Sequence, residues 1–274
     1  MSKRIYTLAV LMIFLAGCAP MANGMSTISM EKEAFEQAPY TEAARAIRRD
    51  DAAGLRQLIG RGLDVNHETK EVSTAWGRDT VHLLLYAAAS DSVNAARVLL
   101  EAGADVNKAT KGGMTALIMG APSPNEELFD LLLVRYKADP NKVMRVGVPQ
   151  SALMFLLQER RALGDKRFDR AAKMIRYGAD VNLDLGGGET AAISFSMLGD
   201  WRAVYWLLAN GAHHETRDRF GTVMCYLRNS YRANVLDPSE AFTYRDQVRD
   251  WLLAKGVARS RVDPALHPSP KCDD

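Results

Sequence analysis

A six-residue pattern recurs along this chain at nearly regular intervals, and it limits the possible folds more than any other feature. It reads Gly-Ala-Asp-Val-Asn or a close variant after a leading residue, at 61–66, 102–107, 136–141, 177–182 and 210–215, with a weaker copy at 255–257. The second positions, 62, 103, 137, 178, 211 and 256, are separated by 41, 34, 41, 33 and 45 residues. The short steps match a period of about 33 residues, which is typical of a repeat architecture.

An apolar segment with helical spacing precedes each of the clear copies. In 95–100, 128–133, 171–175 and 203–208 the apolar residues recur every three or four positions, which predicts amphipathic helices packed on one side. The glycine then follows the helix end, where a residue that accepts positive φ stops a helix at little cost. Lys137 takes this place in one copy, so we expect that helix to end less cleanly.

A second signature lies at the start of the repeats. A threonine or serine follows a glycine-containing turn and can cap the first helix of a pair. These residues are Thr80, Thr115, Ser151, Thr190 and Thr222. Ahead of them, the first repeat is predicted to hold helices at 42–49 and 52–60.

Together the two signatures resemble ankyrin repeats, which combine a β-turn, Thr-Pro-Leu-His-x-Ala, a second helix and Gly-Ala-Asp-Val-Asn. The resemblance covers residues 41 to 257. It implies an all-α solenoid of about six helix-turn-helix units with short turns between repeats. No repeat keeps the proline, and the extra residues are predicted at 67–79, 159–166 and 231–243. The resemblance assigns His82 to the structural histidine that bonds neighbouring turns.

The first residues look like a targeting segment. Lys3 and Arg4 precede an apolar run from Ile5 to Leu15, which is too short to span a bilayer comfortably. The following Leu-Ala-Gly-Cys at 15–18 resembles a lipobox, which implies a signal peptide at 1–17 and a diacylglycerol on Cys18. An ordinary secretory signal with a coincidental cysteine is the alternative.

By the same resemblance, Ala19 in place of aspartate favours transfer to the outer membrane, with the protein facing the periplasm. Several acyl chains on Cys18 would make that anchoring stable. We therefore predict a lipid-anchored tether at 18–38, an ankyrin-repeat domain at 39–262 and a tail at 263–274.

Two further cysteines leave the pairing open. Cys225 and Cys272 could form one disulfide if the tail folds back on the last repeat. Equally, Cys225 could be buried on a helix while Cys272 stays free in the tail.

Several function classes find no support in the residues. The 35 basic and 33 acidic residues leave no basic face of the kind that nucleic-acid binders carry. His213 and His214 are adjacent but lack accompanying ligands at zinc spacing. Gly186–Gly188 lacks the Lys-Ser or Lys-Thr of a phosphate loop, and Ser194 and Ser196 lack the glycines of a hydrolase elbow. We predict no enzyme, no metal and no cofactor.

The turns between repeats are the predicted binding surface. In ankyrin folds they project like fingers and, with the first helices, form a concave face that holds protein partners. The candidates are Trp76, Arg78, Lys111, Met144, Arg145, Leu185, Arg219 and Phe220, because aromatics, methionine and arginine concentrate interface energy. Alternatively, Trp76 or Phe220 covers the edge of the core. Two partner hypotheses follow: an immunity protein that masks a secreted toxic enzyme, or an envelope scaffold or stress-related adaptor that organises resident periplasmic or outer-membrane proteins.

Overall fold

The computed structural model describes residues 32–232, 240–267 and 272. These residues form two compact units, which meet in sequence between Ala179 and Asp180. The predicted signal peptide, Cys18 and most of the tether lie outside the described residues, as does the middle of the insertion at 231–243. Within the described ranges, no helix is both long and apolar enough to cross a membrane.

The first unit contains four helix pairs. They are α1 (Tyr40–Arg48) with α2 (Ala52–Gly60), α3 (Leu83–Ala89) with α4 (Val93–Glu101), α5 (Ala116–Gly120) with α6 (Glu126–Asp130), and α7 (Ala152–Gln158) with α9 (Lys166–Arg176). A short helix α8 (Arg160–Leu163) lies between α7 and α9. First helices pack on first helices, α1 on α3 on α5 on α7, and second helices on second helices, α2 on α4 on α6.

The second unit contains two further pairs. They are α10 (Ala191–Leu198) with α11 (Trp201–Ala209), and α12 (Val223–Arg232) with α13 (Glu240–Ala254), followed by a short α14 (Arg259–Val262). Helix α10 packs on α12 and α11 on α13, so the stacking rule is the same. The described residues thus hold six helix pairs, and the predicted all-α repeat fold is confirmed.

Two of the connections between repeats are hairpins, and the first of them lies in the long turn predicted at 67–79. The first is an antiparallel hairpin of β1 (Val72–Thr74) and β2 (Gly77–Asp79), which we call hairpin 1. The second joins β3 (Val143–Met144) to β4 (Gln150–Ser151) and is called hairpin 2. Val72 and Thr74 in β1 and Val143 in β3 favour extended backbone, which suits these strands to pairing.

Side-chain caps begin most of the first helices, as predicted. The hydroxyls of Thr115, Ser151 and Thr222 accept the amide of the third following residue at 3.2, 3.4 and 3.3 Å. In the second repeat the cap is His82, whose Nδ1 accepts the Leu85 amide at 3.2 Å. The predicted register of His82 is therefore wrong: His82 occupies the capping position that the threonine signature predicts for Thr80. Thr190 makes no side-chain cap bond.

The asparagine that ends the repeated hexapeptide bonds the next turn. Its Oδ1 accepts a backbone amide one repeat later, and its Nδ2 donates to a glycine carbonyl there. The amide bonds join Asn66 to Asp105, Asn107 to Asp139 and Asn182 to His213, and the carbonyl bonds join Asn66 to Gly103, Asn141 to Gly178 and Asn182 to Gly211. This bonding explains why the hexapeptide recurs in phase.

The third repeat carries one extra residue. In the second repeat, Gly103 comes eleven positions after the residue that begins the second helix, Ser92. In the third repeat, Lys137 comes twelve positions after the corresponding residue, Asn125. The addition is absorbed by a π-helical turn at Leu131–Arg135 after α6. Lys137 itself adopts φ +54°, the conformation that glycine holds in the other copies. The prediction of a less regular helix end is confirmed here.

The predicted ends of the repeat domain need correction. Phe35 is only 1% exposed and its ring lies 5.4 Å from that of Tyr86, so the folded part starts within the predicted tether. In the predicted tail, Cys272 forms a disulfide with Cys225, and its carbonyl accepts a bond from Arg217. Of the two alternatives for the cysteines, the structure therefore contains the disulfide.

Candidate protein-binding surface

Asp79 at the end of hairpin 1 joins this hairpin to the next turn of the first unit. Its carboxylate is buried and accepts bonds from the amides of Thr80 and Gly112, each at 2.8 Å. It also accepts the hydroxyl proton of Thr110 at 2.6 Å. Because an unpaired buried carboxylate is costly, the two donors from the next turn, Thr110 and Gly112, hold the two turns together.

Two glycines let hairpin 2 approach the same turn closely. A Cβ on Gly113, where φ is +87°, would lie 2.3 Å from the Val143 carbonyl oxygen. On the neighbouring Gly112, a Cβ would lie 2.8 Å from the side chain of Val146. The Gly112 carbonyl also accepts the Arg145 amide at 2.6 Å. Side chains larger than hydrogen are thus excluded at both positions. The two hairpins and the turn at 110–113, which we call the fingers, therefore form a contiguous surface.

An apolar groove lies between these fingers and the first helices. It surrounds a small void of about 20 Å³ whose lining includes Trp76, Ala89, Met119 and Val146. The indole of Trp76 lies 5.9 Å from the ring of Phe155 on α7, with the ring planes tilted by 59°. Each of these five residues is half-buried, so apolar surface remains open to a partner. We call this set the apolar groove.

Charged side chains lie on both hairpins and on the turn between them. Arg78 donates to the Glu71 carbonyl at 2.9 Å, and the ammonium of Lys111 lies 3.0 Å from the Glu71 carboxylate. This hydrogen bond lowers the pKa of Glu71 and raises that of Lys111. Arg145 is exposed on hairpin 2. Both hairpins thus carry an arginine, and we call Arg78, Lys111 and Arg145 the basic rim.

Two of the predicted contact residues are wrong as exposed candidates. Met144 is fully buried, because its place in β3, opposite Gln150, turns its side chain away from solvent. Leu185 is 2% exposed and sits in the turn that its own amide closes by donating to the Glu189 carbonyl.

The remaining candidates divide between the units. Trp76, Arg78, Lys111 and Arg145 gather around the apolar groove of the first unit. Arg219 and Phe220 lie on a turn of the second unit, where Phe220 is 51% exposed. The guanidinium of Arg219 lies 4.5 Å from the centre of the Phe220 ring, a stacked pair of the kind found in interface anchors.

Met119 and Phe155 are not among the contact residues predicted from the sequence. Both are the fourth residue after the cap, counted from Thr115 and Ser151, and this shared offset was visible in the sequence. It was hidden because both residues are apolar and lie in apolar helices, where a core role is the simpler interpretation.

The histidine pair, the glycine turn and Ser194 make structural contacts in the described residues. The described residues hold no cluster of three or more metal-ligating side chains. The His213 amide donates to Asn182, and the His214 ring lies edge-on to Trp251 at 5.8 Å. In the glycine turn, the amides of Gly186 and Gly188 donate to the Asp184 carboxylate. The Ser194 hydroxyl donates to Glu189 at 2.8 Å.

Comparison with known proteins agrees with the repeat geometry. Residues 43–144 match the family model described as ankyrin repeats in three copies. A segment covering 34% of this chain is 36% identical over 92 residues to Inversin from Gallus gallus, of which it spans 8%. Ankyrin repeats are protein-interaction modules and are typically not enzymes. The chain therefore has the ankyrin-repeat fold, and residues 43–144 belong to the ankyrin-repeat family.

Proposed function

We propose that this chain is a non-enzymatic protein that binds a protein partner in the apolar groove of its first unit. The observation that carries the proposal is the contact between Trp76 on hairpin 1 and Phe155 on α7, with Met119 beside them. Rigid aromatic side chains that are half-buried before binding lose little entropy on contact, and they are enriched among residues that dominate interface energy.

The position of the groove supports the same function. The groove is lined by the fingers on its sides and by the first helices at its base. In ankyrin repeats these elements form the concave side. The fingers are fixed by Asp79 and by the close approach at Gly113, so the surface is preorganised for binding.

We propose further that the protein works outside the cytoplasm, held at the outer membrane through a lipid on Cys18 and facing the periplasm. The support is the Leu-Ala-Gly-Cys pattern at 15–18. The disulfide between Cys225 and Cys272 also suits an oxidising compartment. Replacing Cys18 with alanine should abolish acylation and release the protein from membranes. An acylated or membrane-bound C18A protein would overturn this location.

Two roles fit a tethered binding protein. In the first, it is an immunity protein that masks the active site of a toxic enzyme delivered between cells. In the second, it is an envelope scaffold that organises resident proteins. The groove is compatible with either role, since both need a rigid surface without chemistry of its own. An immunity protein should inhibit its partner's enzymatic activity at equimolar ratio, whereas a scaffold should leave that activity unchanged.

Site-specific photocrosslinking tests the binding site. A photoreactive phenylalanine replaces Phe155 in the groove of the full chain, expressed in the cells that produce it. Tyr177, which is 46% exposed beyond the end of α9, provides an aromatic control site. We expect one discrete protein crosslinked from position 155, absent from position 177 and lost when Trp76 is changed to alanine. Equal crosslinking from both positions, or none from 155, would refute the groove as the site.

A further inference from the structure

The segment that follows the last repeat returns to the first helix of that repeat. Helix α12 packs on α10, as first helices do in both units, and it also packs on the short helix α14. Val262 at the end of α14 is fully buried. Further along, Cys272 is joined by the disulfide to Cys225 in α12. We call residues 259–267 together with Cys272 the strap.

The far end of the strap is attached by polar bonds and by the disulfide. The carbonyls of His267 and Cys272 accept hydrogen bonds from the guanidinium groups of Arg232 and Arg217. Leu266 is 55% exposed, so its side chain adds little buried apolar surface. Since apolar packing contributes little here, the bond between the two sulfurs is the main attachment of this end, and opening it need not unfold the unit.

The two sulfurs of the disulfide differ in access and in surroundings. Cys225 is 1% exposed, whereas Cys272 is half-buried, so an attacking thiolate reaches Cys272 more easily and displaces Cys225. Cys225 is the third residue of α12, where the helix N-terminus favours negative charge. The side-chain amide of Asn229 also donates to its sulfur at 3.5 Å. Both features stabilise the thiolate that leaves.

From these features we propose that the disulfide is a redox-operated latch, which a dithiol reductant opens by thiol–disulfide exchange. A thiolate of the reductant bonds to the Cys272 sulfur while the bond between the two protein sulfurs breaks. The electron pair leaves on Cys225, which takes up a proton. The second thiol of the reductant then attacks the reductant's own sulfur in the mixed disulfide and releases Cys272 as a thiol. The protein gains two electrons and two protons, and the reductant ends as a disulfide.

Opening the latch uncovers the turn that carries Arg219 and Phe220. A Cβ on Gly221 would lie 2.9 Å from the Sγ of Cys272, so the strap is in close contact with this turn. Asp218 holds the turn from within by accepting the Gly221 amide at 2.7 Å. We therefore expect the turn to stay folded when the strap leaves, while its surface at Gly221 becomes accessible. An oxidising compartment keeps the latch closed, and a reductant opens it.

Trapping with a monothiol tests the order of attack. The full chain carries Cys18→Ala, so that Cys225 and Cys272 are its remaining cysteines. It is exposed briefly to reduced glutathione, which lacks a second thiol, and free thiols are then alkylated for mass spectrometry. We expect glutathione on Cys272 and the alkyl group on Cys225. Glutathione on Cys225, or no reaction until the helical circular dichroism signal is lost, would overturn the latch.

Hydrogen exchange tests what the open latch uncovers. After reduction with dithiothreitol, exchange at residues 217–227 should be roughly tenfold faster, and reoxidation should restore it. Helix α11 of the same unit is the internal control and should change by less than about twofold. The variant with both Cys225→Ser and Cys272→Ser should not respond to the reagent.

Each remaining outcome contradicts the latch for a different reason. Unchanged exchange at 217–227 would show that the reduced strap stays in place. Equally faster exchange in α11 would show that the bond holds the whole unit together and is purely structural. Because the latch lies within the second unit, none of these results bears on the proposed binding at the apolar groove.

Discussion

The carboxylate of Asp79 and the amide of Gly112 form a 2.8 Å hydrogen bond between hairpin 1 and the following turn. With Asp79→Ala, this amide and the Thr110 hydroxyl lose their charged acceptor inside the protein. We expect a loss of about 2–3 kcal/mol in unfolding free energy. Hydrogen exchange should be faster at Lys111 to Gly113. The exposed Asp169→Ala on α9 is the control, and equal exchange in both variants would contradict the coupling.

Lys137 should be a weak point, because it holds a left-handed backbone conformation at φ +54°. A side chain in this region costs about 1 kcal/mol, so Lys137→Gly should stabilise the first unit by roughly that amount. The reverse change, Gly103→Lys, tests the same cost of a side chain in a left-handed backbone conformation. A Cβ there meets no atom within 4 Å, so backbone strain alone should destabilise it. Thermal melts that shift in the same direction for both variants would count against this explanation.

Arg170 on α9 stabilises the loop between α5 and α6. Its guanidinium is 4% exposed and bonds the Glu126 carboxylate at 2.7 Å and the carbonyls of Ala121 and Pro124 at 3.2 Å. Lysine cannot supply these several donors from one plane. We expect Arg170→Lys to lower stability by about 2–4 kcal/mol, measured by urea denaturation. The exposed Arg176→Lys, on the same helix, should change it by less than about 0.5 kcal/mol.

Acid should weaken the first unit through His82. Burial lowers its pKa from 6.5 to about 4. As the pH falls below 6.5, the unfolded chain binds a proton that the folded chain refuses until about pH 4, so stability declines across that window. The loss amounts to about 3 kcal/mol. In His82→Thr the threonine can cap the helix but does not titrate. The unfolding free energy of this variant should therefore change less between pH 6.5 and pH 4. Identical profiles for the two proteins would show that His82 is not responsible.

The disulfide should stabilise the second unit. It closes a loop between residues 47 apart in sequence, which corresponds to about 4 kcal/mol of lost unfolded-state entropy. Reduction with dithiothreitol should therefore increase hydrogen exchange in α12 and around Cys272. Cys272→Ser should exchange as the reduced wild type does and be insensitive to the reagent. A wild type whose exchange is unchanged by reduction would contradict this role.

The repeated pattern predicted the repeats well because each of its residues has the same structural role in every copy. Gly103 ends a helix in a left-handed conformation, and Asn66 bonds the next turn, so both recur in phase. The hairpins were harder to predict because they depend on inserted residues that occur in one repeat each. The place of Met144 between repeats predicts an exposed side chain, but strand pairing with Gln150 decides its direction.

The groove could be predicted only in part. Trp76 and Arg78 were visible as unusual turn residues. Phe155 and Met119 were not, because half-burial on a first helix depends on which fingers pass over it. That arrangement comes from packing between distant parts of the chain, here the approach of Val146 to Gly112. Counting four residues from the caps Thr115 and Ser151 identifies Met119 and Phe155 only once it is known where the helices begin.

The central claim is that the groove binds a protein, and one affinity comparison tests it most directly. Calorimetry measures the protein crosslinked from position 155 against wild type, Trp76→Ala and the distant Arg176→Ala. We predict that Trp76→Ala weakens binding by about 2 kcal/mol, roughly thirtyfold, with an unchanged helical circular dichroism signal, and that Arg176→Ala binds as wild type does. Equal affinity of the Trp76→Ala and wild-type proteins would contradict the account.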